Sequence, residues 1–330
     1  YYVFMIQGKD GQRQEIVWRS RNLTEGPWEG RLVFGGEMVD ADGNEVMHTN
    51  GIAQGGVVQA GDGRWWCFLF KDYGSVGRMP MLFPMTWSED GWPVVGENAA
   101  AAPYVCEMPV KGQKMSSIAE SDEFNVWKPH KSRSRFGSHE PGLKLCWQWN
   151  HIPDNDAWSL TQRKGWLRLT ANSTANNIRD ARNTLTQRTF GPTCTGETLL
   201  DVSGMTDGSR AGLASFQNRY GWVGVKKDDG KYYLVMHRAM DKGDADGKEI
   251  ACLPLNQTKV WLRVPHDFRD RTDKARFFYS LDGKKWLPIG DTLQMYYDWP
   301  DFCGQRYALF HYATAKPGGH ADFDYFHIGE

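Results

Sequence analysis

The feature that most constrains the fold is a succession of short apolar segments and tight turns between residues 50 and 93. Its first two segments, 56–60 and 65–70, are joined by the pair Asp62-Gly63. Asp-Gly between apolar segments is a strong hairpin signal, because both residues tolerate a positive φ. The sequence therefore predicts an antiparallel hairpin at this point.

A glycine-punctuated loop and a third apolar segment follow the hairpin. The loop spans 72–78, and the segment 79–87 ends shortly before a second Asp-Gly pair. Pro80 and Pro84 each remove a backbone donor from a ladder, so we predict that this strand lies at a sheet edge or starts late. Three strands with tight turns in about forty residues have the size of one propeller blade.

Four motifs in this stretch, taken in order, resemble the last blades of the five-bladed β-propeller of glycoside hydrolase family 43. They read GIAQGG, DGRWW, KDYGSVGR and TWSEDGWPV. That family contains exo-acting β-xylosidases and α-L-arabinofuranosidases. One residue departs from the family pattern, since Ala53 stands where the family has a histidine. The explanations are a natural variant, an engineered change or a misaligned motif, and the fit of Gln54 and the glycines after it disfavours misalignment.

The second half of the chain is a run of short strands. Apolar residues alternate with others in LKLCWQW at 143–149, and similar segments recur roughly every ten to fifteen residues, as in a β-sandwich. Motifs such as CWQWNHIPDNDAW, ARNTLTQRTFGP and GGHADFDYFHI resemble the β-sandwich appended to many family 43 enzymes. We therefore predict an all-β chain, with the last blades of a five-bladed β-propeller at 1–98, a linker at 99–120, and a concanavalin-like or lectin-like jelly-roll β-sandwich at 121–330.

Charge and hydropathy disfavour two classes of partner. The chain has 39 Lys and Arg against 40 Asp and Glu, for a formal net charge of −1, whereas a nucleic-acid binder needs a basic surface. No apolar run reaches the roughly 18 residues that a membrane-spanning helix needs. We therefore expect neither nucleic acid nor a membrane as a partner. The six cysteines include no C-x-x-C pair, which disfavours a zinc or redox motif.

The resemblance implies a glycosidase that hydrolyses terminal xylose or arabinofuranose from xylan or arabinoxylan oligosaccharides with inversion, using a general acid and a general base. In the family's chain order, both carboxylates would lie upstream of Tyr1. We therefore expect a missing N-terminal propeller segment as a partner of this chain, and no activity from the chain alone. Glu25-Gly26-Pro27 looks like the motif of the acid but follows a strand end, so we expect a turn there.

The main alternative is a carbohydrate-binding or structural fragment without activity. Whether the chain is an enzyme or a binding protein, the expected ligand is a xylo-oligosaccharide or an arabino-oligosaccharide. No organic cofactor is expected, and the expected location is extracellular or periplasmic.

Three residues are candidates for contact with the sugar. The resemblance implies Arg78 in the subsite of the terminal sugar, where its fork of donors suits two hydroxyls, and Gln54 beside it. His151 is expected on a sandwich loop that forms a wall of the sugar pocket. Trp147 and Trp149, close to it in sequence, are expected in the core, as large apolar side chains usually are.

Calcium is the expected metal. The family histidine that Ala53 replaces helps to hold a metal ion, often calcium, and an alanine methyl group cannot ligate one. A separate calcium site on the sandwich is expected at Asp122, Asp322 and Asp324, by analogy with lectin-like sandwiches.

Overall fold

The computed structural model describes residues 1–9, 12–34, 37–39, 42, 44–48, 51–96, 101–103, 105–114, 117–125, 142–241, 243, 245–298 and 302–330. Their regular structure is β, apart from three short 3-10 helices at Gly74–Val76, Asn155–Ala157 and Arg269–Arg271. Within these ranges, no helix is long and apolar enough to cross a bilayer. The predicted all-β class is confirmed.

Internal contacts divide the chain into two compact units. The first contains Tyr1–Tyr73 and Arg78–Ser116, and the second contains Gly74–Gly77 and Ser117–Glu330. The stretch predicted as a linker, 99–120, is thus shared between the two units, because its residues from Ser117 onward belong to the second.

The first unit is built from strands in three sheets. Its described strands are β1 (Tyr2–Lys9), β2 (Gln12–Arg19), β3 (Glu29–Phe34), β4 (Glu37–Val39), β5 (Glu45–His48), β6 (Ala53–Gln59), β7 (Trp65–Asp72), β8 (Arg78–Trp87), β9 (Pro93–Val95) and β10 (Ala101–Pro103). The sheet orders are β1-β2-β3, β10-β4-β5 and β6-β7-β8-β9. The last of these is an antiparallel meander of four strands, which is the form of a propeller blade.

The predicted hairpin is confirmed. β6 and β7 pair in antiparallel fashion, with Gln59 opposite Trp65 next to the turn. The Gly63 N–H donates to the Ala60 carbonyl at 3.0 Å, and Gly63 has a φ of 87°. A left-handed backbone at this position favours glycine, because a side chain there would be strained.

The position predicted for the third strand was wrong. β8 begins at Arg78, ahead of both prolines, and lies third in the four-stranded sheet. However, β9 pairs only with residues 85–87 of β8. Pro80 therefore lies in the part of β8 that pairs with β7 alone. On its outer side Pro84 uses its carbonyl, which accepts from the Gly96 N–H at 2.9 Å, so neither position needs an N–H donor.

The core of the first unit follows from strand alternation. Cys67 and Leu69 on β7 and Phe83 and Met85 on β8 are spaced by two, so they project from one face of the sheet. All four are buried, and they join Phe34, Ile52 and Val95 in one apolar cluster. Complete burial of a large apolar side chain contributes about 1.5–3 kcal/mol, so this face holds the meander together.

The second unit is richer in strands. Those described are β11 (Gln148–Trp149), β12 (Trp158–Ser159), β13 (Leu167–Thr170), β14 (Leu185–Arg188), β15 (Thr193–Asp201), β16 (Ser209–Phe216), β17 (Tyr220–Asp228), β18 (Lys231–Ala239), β19 (Lys248–Leu255), β20 (Lys259–Asp267), β21 (Lys274–Ala275), β22 (Phe278–Ser280), β23 (Leu287–Pro288), β24 (Leu293–Gln294), β25 (Arg306–Ala313), β26 (His320–Phe323) and β27 (His327–Gly329).

These strands form the two sheets of a β-sandwich. One sheet has the order β11-β14-β25-β16-β17-β18-β19, and the path through the other is β12-β13-β26-β15-β20-β21-β24, with β22, β23 and β27 attached beside it. A single core joins them, since Leu213 and Val223 of the first sheet and Leu200 and Leu262 of the second belong to the same buried cluster. The predicted sandwich is therefore confirmed.

The four-residue segment Gly74–Gly77 is tightly held within the second unit. The Ser75 N–H donates to Asp273 Oδ2 at 3.0 Å, and the Ser75 carbonyl accepts from the Gln305 N–H at 2.8 Å. Gly304 has to be a glycine here, because a Cβ on it would lie 1.9 Å from the Val76 carbonyl oxygen. The segment is thus anchored by backbone as well as side-chain contacts.

Candidate functional site

The site begins at a bulge in β6. Ala53 is buried and pairs with Phe70, and the register then shifts so that Gly56 pairs with Phe68. Gln54 and Gly55 therefore oppose one residue of β7, which is the definition of a bulge. Gln54 adopts a left-handed backbone with a φ of 62°. Gly55 allows the strands to approach, because a Cβ there would lie 1.6 Å from the Phe68 carbonyl oxygen.

A buried carboxyl group supports this bulge. Glu15 Oε2 accepts a hydrogen bond from the Gln54 backbone N–H at 2.6 Å. The Glu15 side chain is fully buried, and its Oε1 has no hydrogen-bond partner among the described residues. Burial raises the pKa of Glu15 from 4.5 to about 7, although the hydrogen bond from Gln54 lowers it. The group can therefore change its charge near neutral pH.

Arg78 lies at the start of β8, opposite the last residue of β7. Its Nε is 3.4 Å from Asp72 Oδ1, and its guanidinium carbon lies 4.3 Å from the centre of the Phe70 ring. Arg13 of β2 pairs with the other carboxylate oxygen, Asp72 Oδ2, and its guanidinium carbon lies 5.5 Å from the Phe70 ring centre. Arg13, Phe70, Asp72 and Arg78 are called the Phe70 cluster below.

The Phe70 cluster fixes the orientation of a planar donor group. The Arg78 side chain is largely buried, with 19% of its surface exposed. A guanidinium held by a carboxylate and a ring face presents parallel N–H groups, which suit two neighbouring oxygen atoms. Ala53 and Gln54 lie on β6, where Ala53 pairs with Phe70 of β7, and Arg78 lies on β8, which pairs with β7 on its other side. The structure thus places Ala53, Gln54 and Arg78 on the two strands that flank β7. Their contact with sugar stays a prediction.

Ala53 offers no ligand to a metal ion, since its side chain is a buried methyl group. The neighbouring polar group at the bulge, the Glu15 carboxyl, already accepts the Gln54 N–H. The residues present around Ala53 therefore do not fit the metal that the family histidine would help to hold.

His151 belongs to the second unit. It is exposed, and its Nε2 lies 2.6 Å from the Arg179 carbonyl oxygen. It lines a cavity of about 420 Å³ together with Gln217 and Arg306. Trp147 is buried and Trp149 is partly buried against the sandwich core, as the sequence predicted. A role of His151 in sugar binding stays a prediction.

Two of the three aspartates predicted to bind calcium, Asp122 and Asp322, already have side-chain partners. Arg163 and Arg168 both donate to Asp322 and, although burial opposes this, hold the pKa of that carboxyl below its ordinary value. Asp122 accepts from the Trp147 indole N–H at 2.8 Å. Burial raises the pKa of both Asp122 and Asp324.

This arrangement does not fit a calcium ion. The described ranges contain no group of three His, Cys, Asp or Glu side chains that could hold a metal. Two guanidiniums already surround Asp322, and calcium prefers several unpaired oxygen ligands. The sandwich calcium therefore stays a prediction that this geometry does not favour.

Glu15 and Arg13 are site residues that the sequence did not reveal. They lie two apart on β2, on the same face as the buried Val17. The sequence held one signal for them: charged residues stand two and four positions before Val17, so in a strand they share its buried face. What they contact depends on β6 and β7, which are distant in sequence.

The sequence of residues 134–329, more than half of the chain, matches the family described as the β-xylosidase C-terminal concanavalin A-like domain, GH43_C2. Curated relatives include a β-xylosidase of Formosa agariphila, 27% identical over 97% of this chain and 54% of its own length. A putative β-xylosidase of Xylanibacter ruminicola is 30% identical over 89% of this chain and 50% of its own length. The chain thus spans about half the length of the curated relatives it matches.

Solved structures give the same family. A bifunctional GH43-CE protein of Bacteroides eggerthii is 47% identical, with a TM-score of 0.80 over all of this chain and 39% of its own. An engineered GH43 glycoside hydrolase, which displays both endo-xylanase and exo-arabinofuranosidase activity, is 28% identical, with a TM-score of 0.80 over all of this chain and 62% of its own. The chain therefore belongs to glycoside hydrolase family 43.

Proposed function

We propose that this chain is part of an exo-acting glycosidase that removes terminal xylose or arabinofuranose from xylan or arabinoxylan oligosaccharides. The observation that carries the proposal is the Phe70 cluster, which orients the Arg78 guanidinium at the end of a loop. The substrate class is supported by the relatives named β-xylosidase and non-reducing end α-L-arabinofuranosidase.

In this proposal Arg78 binds the terminal pentose. Two parallel N–H groups of the guanidinium donate to neighbouring hydroxyl oxygens of the sugar. Asp72 and the Phe70 ring restrict the side chain before the sugar arrives, so less conformational entropy is lost on binding. Gln54, exposed on the bulge that Glu15 supports, lies on the strand that pairs with Phe70 and adds a side-chain amide.

We propose that hydrolysis proceeds with inversion. A protonated carboxyl group donates to the leaving oxygen, while a second carboxylate activates a water molecule on the opposite face of the sugar. Glu15 has a pKa in the range of a general acid, but its side chain is fully buried and bound to a backbone N–H. We therefore assign the acid and the base to polypeptide outside residues 1–330, a view supported by the coverage of about half of the relatives' length.

The test compares the full-length protein with the 330-residue chain. Both are incubated with para-nitrophenyl β-D-xylopyranoside and para-nitrophenyl α-L-arabinofuranoside, and proton NMR follows the anomer released first. We expect the full-length protein to hydrolyse at least one substrate with inversion, and the 330-residue chain to hydrolyse neither. Turnover by the 330-residue chain would contradict the assignment of the carboxylates, and retention of configuration would contradict the mechanism.

A carbohydrate-binding chain without activity is the second candidate. The observation that favours it is a groove on the sandwich that Trp286 and Arg263 line. A full-length protein that binds xylo-oligosaccharides but hydrolyses neither nitrophenyl substrate would favour this candidate over the glycosidase.

A further inference from the structure

The outer face of one sandwich sheet carries four neighbouring side chains, two of them charged and two of them aromatic, on a single rung of directly paired residues from four strands. His327 on β27 pairs with Glu197 on β15, Glu197 pairs with Arg263 on β20, and Arg263 pairs with Phe278 on β22. Directly paired residues in an antiparallel sheet project to the same side. The alternate residues of β15 and β20 are buried in the core, so this rung faces outward.

The centre of the rung is a hydrogen-bonded network. Arg263 Nε and Nη2 donate to Glu197 Oε2 at 2.9 and 2.6 Å, and the Tyr325 hydroxyl donates to Glu197 Oε1 at 2.8 Å. Both carboxylate oxygens are thus engaged, which holds the guanidinium in one orientation. The Arg263 side chain remains 35% exposed, so N–H groups that it does not give to Glu197 can reach a ligand.

Aromatic rings complete the groove. The Trp286 ring centre lies 3.7 Å from the Arg263 guanidinium carbon, and the His327 ring stacks on Tyr325 with 4.1 Å between ring centres. Trp286, Phe278, Arg263, Glu197 and His327 line a cavity of about 820 Å³. This volume lies in the range of roughly 300–1,000 Å³ that is usual for ligand sites.

We propose that this groove, called the Trp286 groove, is a second binding site, and that it takes an uncharged pentose oligosaccharide. Glu197, which pairs with Arg263 across the two strands, balances the positive charge of Arg263. The centre of the groove therefore attracts an uncharged ligand more than a strongly acidic one. Aromatic faces pack against the C–H faces of sugar rings, and the network offers donors and acceptors for hydroxyls.

The identity of the ligand, an oligosaccharide of pentoses, rests on the proposed function. The evidence for the groove as a binding site does not. Binding here requires no catalytic carboxylate and no contact with Arg78. A site of this kind keeps the chain on a polymer between cleavage events, because two linked sites raise the effective concentration of the substrate. The two sites can therefore be tested separately.

The experiment is calorimetric titration of the intact 330-residue chain with xylohexaose. Trp286→Ala removes the ring that stacks on Arg263, and Thr195→Trp fills the groove from β15 without removing any member of the network. Tyr296→Ala is the matched control, because Tyr296 is also an exposed ring beneath an arginine, Arg219, at 4.1 Å, but it does not line the groove. Melting temperatures confirm that each variant is folded.

We expect both groove variants to weaken xylohexaose binding at least about tenfold, as expected for loss of about 1.4 kcal/mol, and Tyr296→Ala to bind xylohexaose as the unmodified chain does. Binding that survives both groove variants, or no binding by the unmodified chain, overturns the proposal. If Trp286→Ala does not fold, Thr195→Trp decides alone. Neither negative result bears on the glycosidase, which the nitrophenyl assay tests independently.

Discussion

The fully buried carboxyl group of Glu15 accepts a hydrogen bond from the backbone N–H of Gln54 at 2.6 Å. The bond joins β2 to the bulge of β6, at the only non-glycine residue of β6 with a positive φ. A buried acid thus supports the strand that carries Gln54 towards the Phe70 cluster. This has a direct consequence for pH dependence.

We expect stability to fall as Glu15 ionises. Its pKa is raised by burial from 4.5 to about 7, so the folded state binds more protons than the unfolded state between these values. The Glu15 contribution to the free energy of unfolding should therefore be greatest below about pH 4.5, and it should fall by up to about 3 kcal/mol as pH rises through 7. The nearby Cys67 thiol does not titrate in this window, because burial and Glu15 raise its pKa to about 12.

Glu15→Gln should abolish this contribution, since an amide oxygen still accepts the Gln54 N–H but carries no charge. Urea denaturation at pH 5 and pH 8 measures the effect, with the variant gaining stability relative to wild type only at pH 8. Glu107→Gln is the control, because that side chain is 83% exposed. An equal effect of Glu15→Gln at both pH values would refute the assigned pKa.

Gly55→Ala should destabilise the first unit. The new Cβ would lie 1.6 Å from the Phe68 carbonyl oxygen, so the strands of the bulge would have to separate. We expect a loss of about 3 kcal/mol, at the upper end for overpacking. Gly56→Ala is the matched control, because nothing lies within 4 Å of its Cβ position, and thermal unfolding of both variants should show a clear difference. Equal melting temperatures would contradict the bulge geometry.

Asp322→Asn should destabilise the second unit strongly. Asp322 is buried and receives hydrogen bonds from both Arg163 and Arg168. Removing one member of such a network costs about 3–5 kcal/mol, and we expect the lower end of this range because Arg168 loses its carboxylate while Arg163 keeps Asp201 at 2.9 Å. Asp324→Asn, whose carboxyl makes neither of these bonds, should cost less. A chelator should leave the melting temperature unchanged, whereas a fall on chelation would show that calcium is bound after all.

Local signals in the sequence were sufficient for the hairpin and for the class of the fold. Asp62-Gly63 needs only its own turn. The alternation at 143–149 was misleading as a strand signal, because only Gln148–Trp149 form a strand there and Leu145 lies exposed in a turn. Pro80 and Pro84 were misleading, because their tolerance depends on how far β9 extends along β8. Glu15 and Arg13 were missed for a related reason, since their partners Gln54 and Asp72 lie 39 and 59 residues away and nothing local encodes that pairing.

The central claim is that the Phe70 cluster forms the subsite for the terminal pentose. Its most direct test is the kcat/KM of the full-length protein for a nitrophenyl pentoside, measured for wild type, Arg78→Ala and Arg31→Ala. Arg31 is a matched control, because it lies over the Trp92 ring at 4.7 Å and pairs with Asp90 at 3.2 Å. Loss of two hydrogen bonds worth together about 3 kcal/mol predicts a decrease of about 100-fold for Arg78→Ala and little change for Arg31→Ala. An Arg78→Ala protein that folds normally and keeps kcat/KM within about twofold of wild type would contradict the account.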